Sequence, residues 1–207
     1  MVRAMTPEEF AAIADVSRET SERLARFAEL LAKWQKGINL VSAESLGDLW
    51  RRHMLDSAQL LKFLPPDTAS LADIGSGAGF PGLVLAILGV PEVHLIESDE
   101  RKCAFLAEAA RIAGCNPTIH RKRAEEVDRL RVDVVTARAC APLPKLLGYA
   151  EPLLGARSCC LFLKGGRVEE ELTEAEKTWR MVIERFPSLS DSSGTILRIS
   201  QVARERL

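Results

Sequence analysis

The residues Asp73-Ile74-Gly75-Ser76-Gly77-Ala78-Gly79-Phe80-Pro81-Gly82 hold the densest chemical signal in the sequence. Glycines so spaced let a chain turn sharply and bring backbone N–H groups against a ligand. Pro81 suits a first helical turn, where its missing N–H costs nothing. Asp73, Gly75, Ser76, Gly77 and Gly79 are therefore candidate ligand contacts. Gly77, Gly79 and Gly82 formally match the G-x-G-x-x-G dinucleotide fingerprint. The register differs, however: Gly75 takes the strand-ending place, and the sixth position counted from it is Phe80, where the fingerprint wants glycine or alanine. An acid just ahead of the loop, Asp73, suits a cationic methionine ammonium better than a pyrophosphate. About 20 residues further on, Glu97 closes the run VHLIE, where a carboxylate can accept both ribose hydroxyl protons. Glu97 thus points to an adenosine-type ligand, which NAD and S-adenosylmethionine both contain.

Such a loop needs a strand before it and a helix after it, and the surrounding pattern supplies both. From about residue 69, short β-type runs (SLADI, VHLIE, PTIH, VDVVTA, SCCLFLKG) alternate with helical patterns around 81–88, 100–113, 142–150 and 168–177. That alternation predicts a parallel sheet with helices on both faces. Runs near 181–186 and 194–200, joined by SLSDSSG, predict a closing antiparallel edge hairpin. Upstream, Leu24, Phe27, Leu30, Leu31 and Trp34 recur at helical spacing within an expected helix over about 7–35. Lys36-Gly37 reads as its stop, with glycine taking a left-handed cap. A second helix is expected over about 43–63, capped by Ser42 and ended by Pro65-Pro66. His53 and Ser57 interrupt its apolar stripe, and Asp56 lies three residues beyond His53, within reach of it. The expected organisation is a helical extension over 1–65 packed on a ligand-binding α/β domain over 66–207.

The 207 residues suit that size, and 47% hydrophobic with 28% charged residues is the balance of an ordinary soluble globular chain. No apolar run approaches the roughly 20 residues of a membrane span, and MVRAMTPEEF has no signal-peptide core, so a cytoplasmic location is expected. Cys103, Cys115, Cys140, Cys159 and Cys160 show neither CxxC nor zinc spacing, so no metal site is expected. Most lie in apolar segments and read as buried thiols. The formal net charge is −1, where a chain gripping naked RNA by charge alone would be basic. Cations do cluster, at Arg51-Arg52, at Arg121-Lys122-Arg123 and at Arg129 and Arg131. They form either a local basic face or a solvated surface.

Taken together, five stretches resemble the ribosomal RNA small subunit methyltransferase G family, also called glucose-inhibited division protein B. They are Arg52-His53-Met54-Leu55-Asp56-Ser57, the glycine loop from Asp73 to Gly82, Arg123-Ala124-Glu125-Glu126, Ala137-Arg138-Ala139 and Leu163-Lys164-Gly165-Gly166. The resemblance runs from about residue 20 to the C-terminus. It implies a Rossmann-like class I methyltransferase fold, with a mostly parallel seven-stranded sheet and an antiparallel edge strand. It also implies transfer of a methyl group from S-adenosylmethionine to N7 of a guanine in 16S ribosomal RNA, by a monomer acting on the small subunit or an assembly intermediate. By the same analogy Gly75 and Phe80 line the cofactor site, Ala124 and Glu125 lie by the adenine, and Arg138 reaches in from the fourth strand end. Cys140 departs from the expected pattern.

Guanine N7 presents a lone pair on the major-groove edge and needs no deprotonation before attack, so no general base is expected. Arg138 reads as a binder of substrate phosphate, base oxygen or cofactor carboxylate, or else as an ion-pair partner of Asp73 or Glu125. His53 and Asp56 either position the base or hold the N-terminal helix against the sheet. Lys164 either meets RNA phosphate or snorkels at the surface, while Arg121, Lys122 and Arg123 sit on the rim where RNA approaches. Three alternatives stand beside this reading. The first is a methyltransferase for another RNA base or a small molecule, including a Cys140 nucleophile acting at cytosine C5. The second is a nicotinamide-dependent oxidoreductase, and the third a non-catalytic RNA-binding module.

Overall fold

The computed structural model describes residues 3–205. Its centre is one seven-stranded sheet in the order β3-β2-β1-β4-β5-β7-β6. The strands are β1 Ser70–Ile74, β2 Glu92–Ile96, β3 Thr118–His120, β4 Val132–Arg138, β5 Leu154–Lys164, β6 Trp179–Pro187 and β7 Thr195–Arg204. The first five run parallel. The expected hairpin forms the edge, and its second strand, β7, inserts antiparallel between β5 and β6.

Side chains alternate across a strand, and neighbours accordingly fall into two cores. Leu71, Val134, Leu161 and Ile196 pack on one face, while Ala72, Val135, Phe162 and Leu197 pack on the other. The first face is covered by α1 Pro7–Ala14, α2 Arg18–Trp34, α5 Gly82–Ile87 and α6 Glu100–Ala113. The second is covered by α7 Leu143–Ala150 and α8 Val168–Ala175. Helix α2 contributes Phe27, whose ring centroid lies 5.3 Å from Phe80 and 6.2 Å from Phe105. The N-terminal helices thus share one core with the glycine loop.

Two expected helices come out differently. The 7–35 segment breaks at Asp15, which takes φ 51°, and Ser17 caps a fresh helix by accepting from Thr20 N–H. Gly37 takes no left-handed conformation; the Gln35 side chain ends α2 instead, bonding Leu40, Val41 and the Val41 carbonyl. The 43–63 segment is four windings rather than one. Ser42 caps the short α3 Ala43–Leu46, a π-helical turn follows at Trp50–Leu55, then α4 Asp56–Ala58 and a 3₁₀ turn at Gln59–Phe63. Helices wound wider than α occur mostly as single turns, often at functional sites.

Candidate functional site

The glycine loop leaves β1 beside the end of β2, where the Gly75 and Ser76 amides both donate to the Ile96 carbonyl, at 2.9 and 3.0 Å. Gly75 has φ +66°, and a Cβ built on it would stand 2.5 Å from the Cys140 sulfur. Glycine is required there on both counts. Asp73 lies beneath the loop, fully buried. Its carboxylate accepts from the Thr136 hydroxyl at 2.9 Å and the Gly82 amide at 3.1 Å. Burial pushes its pKa up to about 6, against the pull of those donors. The expected meeting of Asp73 with a ligand ammonium is therefore not what the structure shows, because both carboxylate oxygens face loop and sheet. Asp73 instead holds the loop from below. Gly82 makes this possible, since a Cβ there would come within 2.7 Å of the Asp73 carboxylate.

Glu97 is 8% exposed. One of its oxygens accepts the Gly77 amide at 2.9 Å and the other the Asp99 amide at 2.8 Å. The acid is thereby already fixed against the loop whose ligand it is expected to share.

Over the loop opens a crevice of about 790 Å³, whose wall includes Gly75, Ser76, Gly77, Phe80, Arg138 and Cys140. Arg138, the last residue of β4, is the centre of its polar network. It donates from Nη1 to the Arg52 carbonyl at 2.9 Å and from Nη2 to His53 Nδ1 at 2.6 Å. Its Nη1 lies 3.4 Å from the Asp56 carboxylate, and its guanidinium carbon sits 5.1 Å over the Phe80 ring. The expected ion pair of Arg138 is thus made with Asp56, not with Asp73 or Glu125. Burial lowers the Arg138 pKa, and Asp56 opposes that shift. His53 stacks on Phe80 at 4.8 Å. Burial first, then the Arg138 and Arg52 charges, drops its pKa to about 3, so the ring is neutral.

Asp56 in turn accepts from the Ser190 hydroxyl at 2.5 Å and from Gln59 at 3.0 Å. Gln59 also takes the Leu189 amide at 2.7 Å, and Arg52 pairs with Asp191 at 2.7 Å. The β6–β7 loop is thereby clamped to the π-helical segment, and Ser188, Ser190 and Asp191 enter the crevice wall. In the sequence these residues read only as a hairpin connection. A run of Ser and Asp is what any loop carries, and nothing local joins it to a helix some 130 positions earlier.

Other expected residues stand apart. Ala124 and Glu125 form a 3₁₀ turn after β3, and Glu125 faces a separate groove of about 490 Å³ with Lys145, Tyr149, Trp179 and Arg204. Arg121, Lys122 and Arg123 are exposed and outside the crevice wall, and Arg121 pairs with Glu100 at 2.6 Å. Lys164 reaches the crevice wall, but its side chain is 7% exposed and bound to Glu171 at 2.6 Å and the Ala141 carbonyl at 3.0 Å. It does not snorkel, and it is not free to take a phosphate. Among the cysteines, Cys103, Cys159 and Cys160 are buried, whereas Cys140 is exposed in the crevice. Burial raises the Cys140 pKa, and Asp73 and Glu97 add to it, so its thiol is a poor nucleophile. Among the described residues no group of three or more His, Cys, Asp or Glu could hold a metal ion, and no helix is long and apolar enough to cross a membrane.

Residues 20–194 match the family model described as rRNA small subunit methyltransferase G. A ribosomal RNA small subunit methyltransferase G from Rhodospirillum rubrum is 58% identical over 200 residues, covering 97% of this chain and 100% of that protein. One from Caulobacter vibrioides is 45% identical over 201 residues, covering 95% and 92%. Among solved structures, a ribosomal protein L11 methylase from Lactobacillus delbrueckii aligns with TM-score 0.58 at 15% identity, covering 72% of this chain and 77% of that one. A TehB-like SAM-dependent methyltransferase from Corynebacterium glutamicum aligns with TM-score 0.57 at 14% identity, covering 86% and 98%. At such identities the structural likeness concerns the fold.

Proposed function

The chain belongs to the ribosomal RNA small subunit methyltransferase G family, and on that premise we propose that it moves a methyl group from S-adenosylmethionine to N7 of one guanine in 16S ribosomal RNA. The observation that carries the choice of N7 is the lack, among the described residues of the crevice, of a group poised to remove a proton. The buried Asp73 carboxylate is turned into the fold, that of Asp56 is held by Arg138, Ser190 and Gln59, and that of Glu171 by Lys164 and the Leu143 amide. The His53 Nδ1 lone pair is taken by Arg138, and the Cys140 thiol is pushed up in pKa. N7 already carries a free lone pair, so such a site can methylate it where it could not readily activate an amine or a ring carbon.

S-adenosylmethionine supplies the methyl group on a sulfonium. The residues that would hold it are Glu97 for the ribose hydroxyls and the Gly75–Gly79 backbone with Phe80 for the methionine end; by family analogy Ala124 would lie beside the adenine, while Glu125 faces the neighbouring groove. The protein's own contribution is alignment of nitrogen, carbon and sulfur, which can be worth about 7–11 kcal/mol. Arg138 and Asp56, locked together, offer a cation to the substrate without leaving a crowd of positive charge beside the purine as it becomes cationic. RNA is usually read where its bases are unstacked, and the target guanine is splayed into the crevice. The protein works in the cytoplasm as a monomer, on the small subunit or an assembly intermediate, which its near-neutral net charge suits better than free RNA.

Incubating the protein with small subunits and methyl-labelled cofactor, then mapping the label, tests this reading. Label at one guanine N7 is expected; label on another base or on protein, or none, overturns it. S-adenosylmethionine should raise the thermal midpoint and NADH should leave it unchanged.

A further inference from the structure

His53 has one feature the network above leaves unexplained. An arginine has only donors, so the Arg138 bond at 2.6 Å fixes Nδ1 of His53 as the acceptor. In a neutral ring the proton then sits on Nε2. That atom is buried and finds no hydrogen-bond partner, although His53 as a whole is 6% exposed and belongs to the crevice wall. Buried donors nearly always have partners, and an exception calls for an explanation. Rotating the ring offers no escape. A flip would break the Arg138 bond, made where ring and guanidinium lie on the same phenylalanine.

Nε2 has almost no accessible surface of its own, so the acceptor comes with a ligand that seats against the crevice wall and parts the side chains over it. Guanine carries N7 and O6 side by side on its major-groove edge, both of them acceptors, whereas adenine puts an N6 amino donor in the place of O6. A donor on O6 holds the base without touching the N7 lone pair, which has to stay free for attack. We propose that His53, locked by Arg138 in its Nε2–H form, donates to O6 of the target guanine and so both orients N7 and excludes adenine. Resting on the N7 reading above, this makes His53 a specificity residue and Arg138 the positioning residue that sets its tautomer.

The test compares methyl transfer to small subunits carrying guanine at the target position with transfer to subunits carrying 2-aminopurine there, which lacks O6. Wild-type protein should prefer guanine by roughly tenfold or more, the scale set by leaving one buried donor unpaired. Two variants separate the nitrogens. His53→Asn keeps an acceptor for Arg138 where Nδ1 stood and removes the outer donor, so the two substrates should react at nearly equal rates. His53→Gln keeps a donor near the Nε2 position and should restore much of the preference. Both should bind S-adenosylmethionine as tightly as wild type, measured by calorimetry, and that measurement also reports whether they fold.

Equal rates for wild type on both substrates, or the same preference in all three proteins, overturns the assignment while leaving N7 methylation standing. Loss of cofactor affinity in His53→Asn overturns it too, by giving the Nε2 proton to the cofactor. Wild-type protein that methylates neither substrate at the target position removes the N7 reading and this assignment with it.

Discussion

Arg138 is the cation on which the other crevice side chains converge, and its partners predict how its loss will read. Arg138→Ala deletes two short bonds, but Asp56 keeps Ser190 and Gln59 as donors. The expected result is a fall in methyl transfer of at least a hundredfold, with a cost in stability of about 1–3 kcal/mol. Turnover and urea titration on the same preparation decide it, and a protein that simply unfolds would return Arg138 to a structural role. Cys140→Ser should leave turnover largely intact, since the thiol is neither acidic nor needed; lost turnover in a folded variant would revive a covalent route. His53 sets a pH signature. Its pKa of about 3 lies far below the ordinary 6.5, so the stability tied to the neutral ring is whole above pH 6.5 and is lost as pH falls toward 3. Asp73, raised from 3.8 to about 6, contributes oppositely: its share is whole below pH 3.8 and is lost as pH rises through 6. The His53 displacement is the larger and wins. Between pH 6.5 and 4, His53→Asn should lose less stability than wild type, by on the order of 3 kcal/mol; parallel curves would contradict the buried neutral ring. Glu97 and Arg138 were visible in the sequence at strand ends, and His53 and Asp56 as polar residues within an expected helix. Which of them touch was not visible, because the Arg138–Asp56 pair joins positions 82 apart.

At the scale of elements, legibility followed the locality of the forces. Helix α6 matches the 100–113 expectation because Asp99 caps its start, accepting from the Arg101 and Lys102 amides, and Gly114 ends it with φ +67°. Both signals lie within a few residues of the boundary. The 43–63 segment has the same apolar periodicity, but its π-helical turn is held by Arg138 on the Arg52 carbonyl and by Asp191 on Arg52. Hydrophobic spacing reports which face is buried and not how the backbone winds under distant partners. The glycine loop was legible in position, as the turn between β1 and α5, whereas Asp73, expected to contact the ligand, holds Gly82 instead. Gly82→Ala tests that contact. Its Cβ would meet Leu95 at 2.5 Å and Asp73 at 2.6 Å. We expect about 1–3 kcal/mol of destabilisation, as for overpacking, together with weaker binding of S-adenosylmethionine. Unchanged cofactor affinity would separate Asp73 from the loop.

For the molecule as a whole, the N-terminal helices belong to the same packed unit as the site. Phe27 of α2 is fully buried between Phe80 and Phe105. Truncating a buried phenylalanine costs about 3–5 kcal/mol, so Phe27→Ala should lower stability by that order. It should also reach the crevice, because Phe80 carries the His53 ring on its face. Methyl transfer should fall further than the fraction unfolded accounts for, measured at a temperature where the variant is still folded. Activity that simply tracks the folded fraction would show the helices to be a passive cover. Charge speaks less clearly at this scale: the net value of −1 averages over a surface on which several arginines are paired with acids.

The placement of β7 between β5 and β6 has a consequence for biosynthesis. During translation β6 emerges before the strand that will join it to the sheet, so it has no rung to pair with until β7 follows. The two must dock together, bringing Ser190 and Asp191 against a segment made long before. A nascent chain therefore cannot close its crevice while it is still being elongated through residue 190. The crevice is completed only once β7 has been made, long after the residues that form its floor.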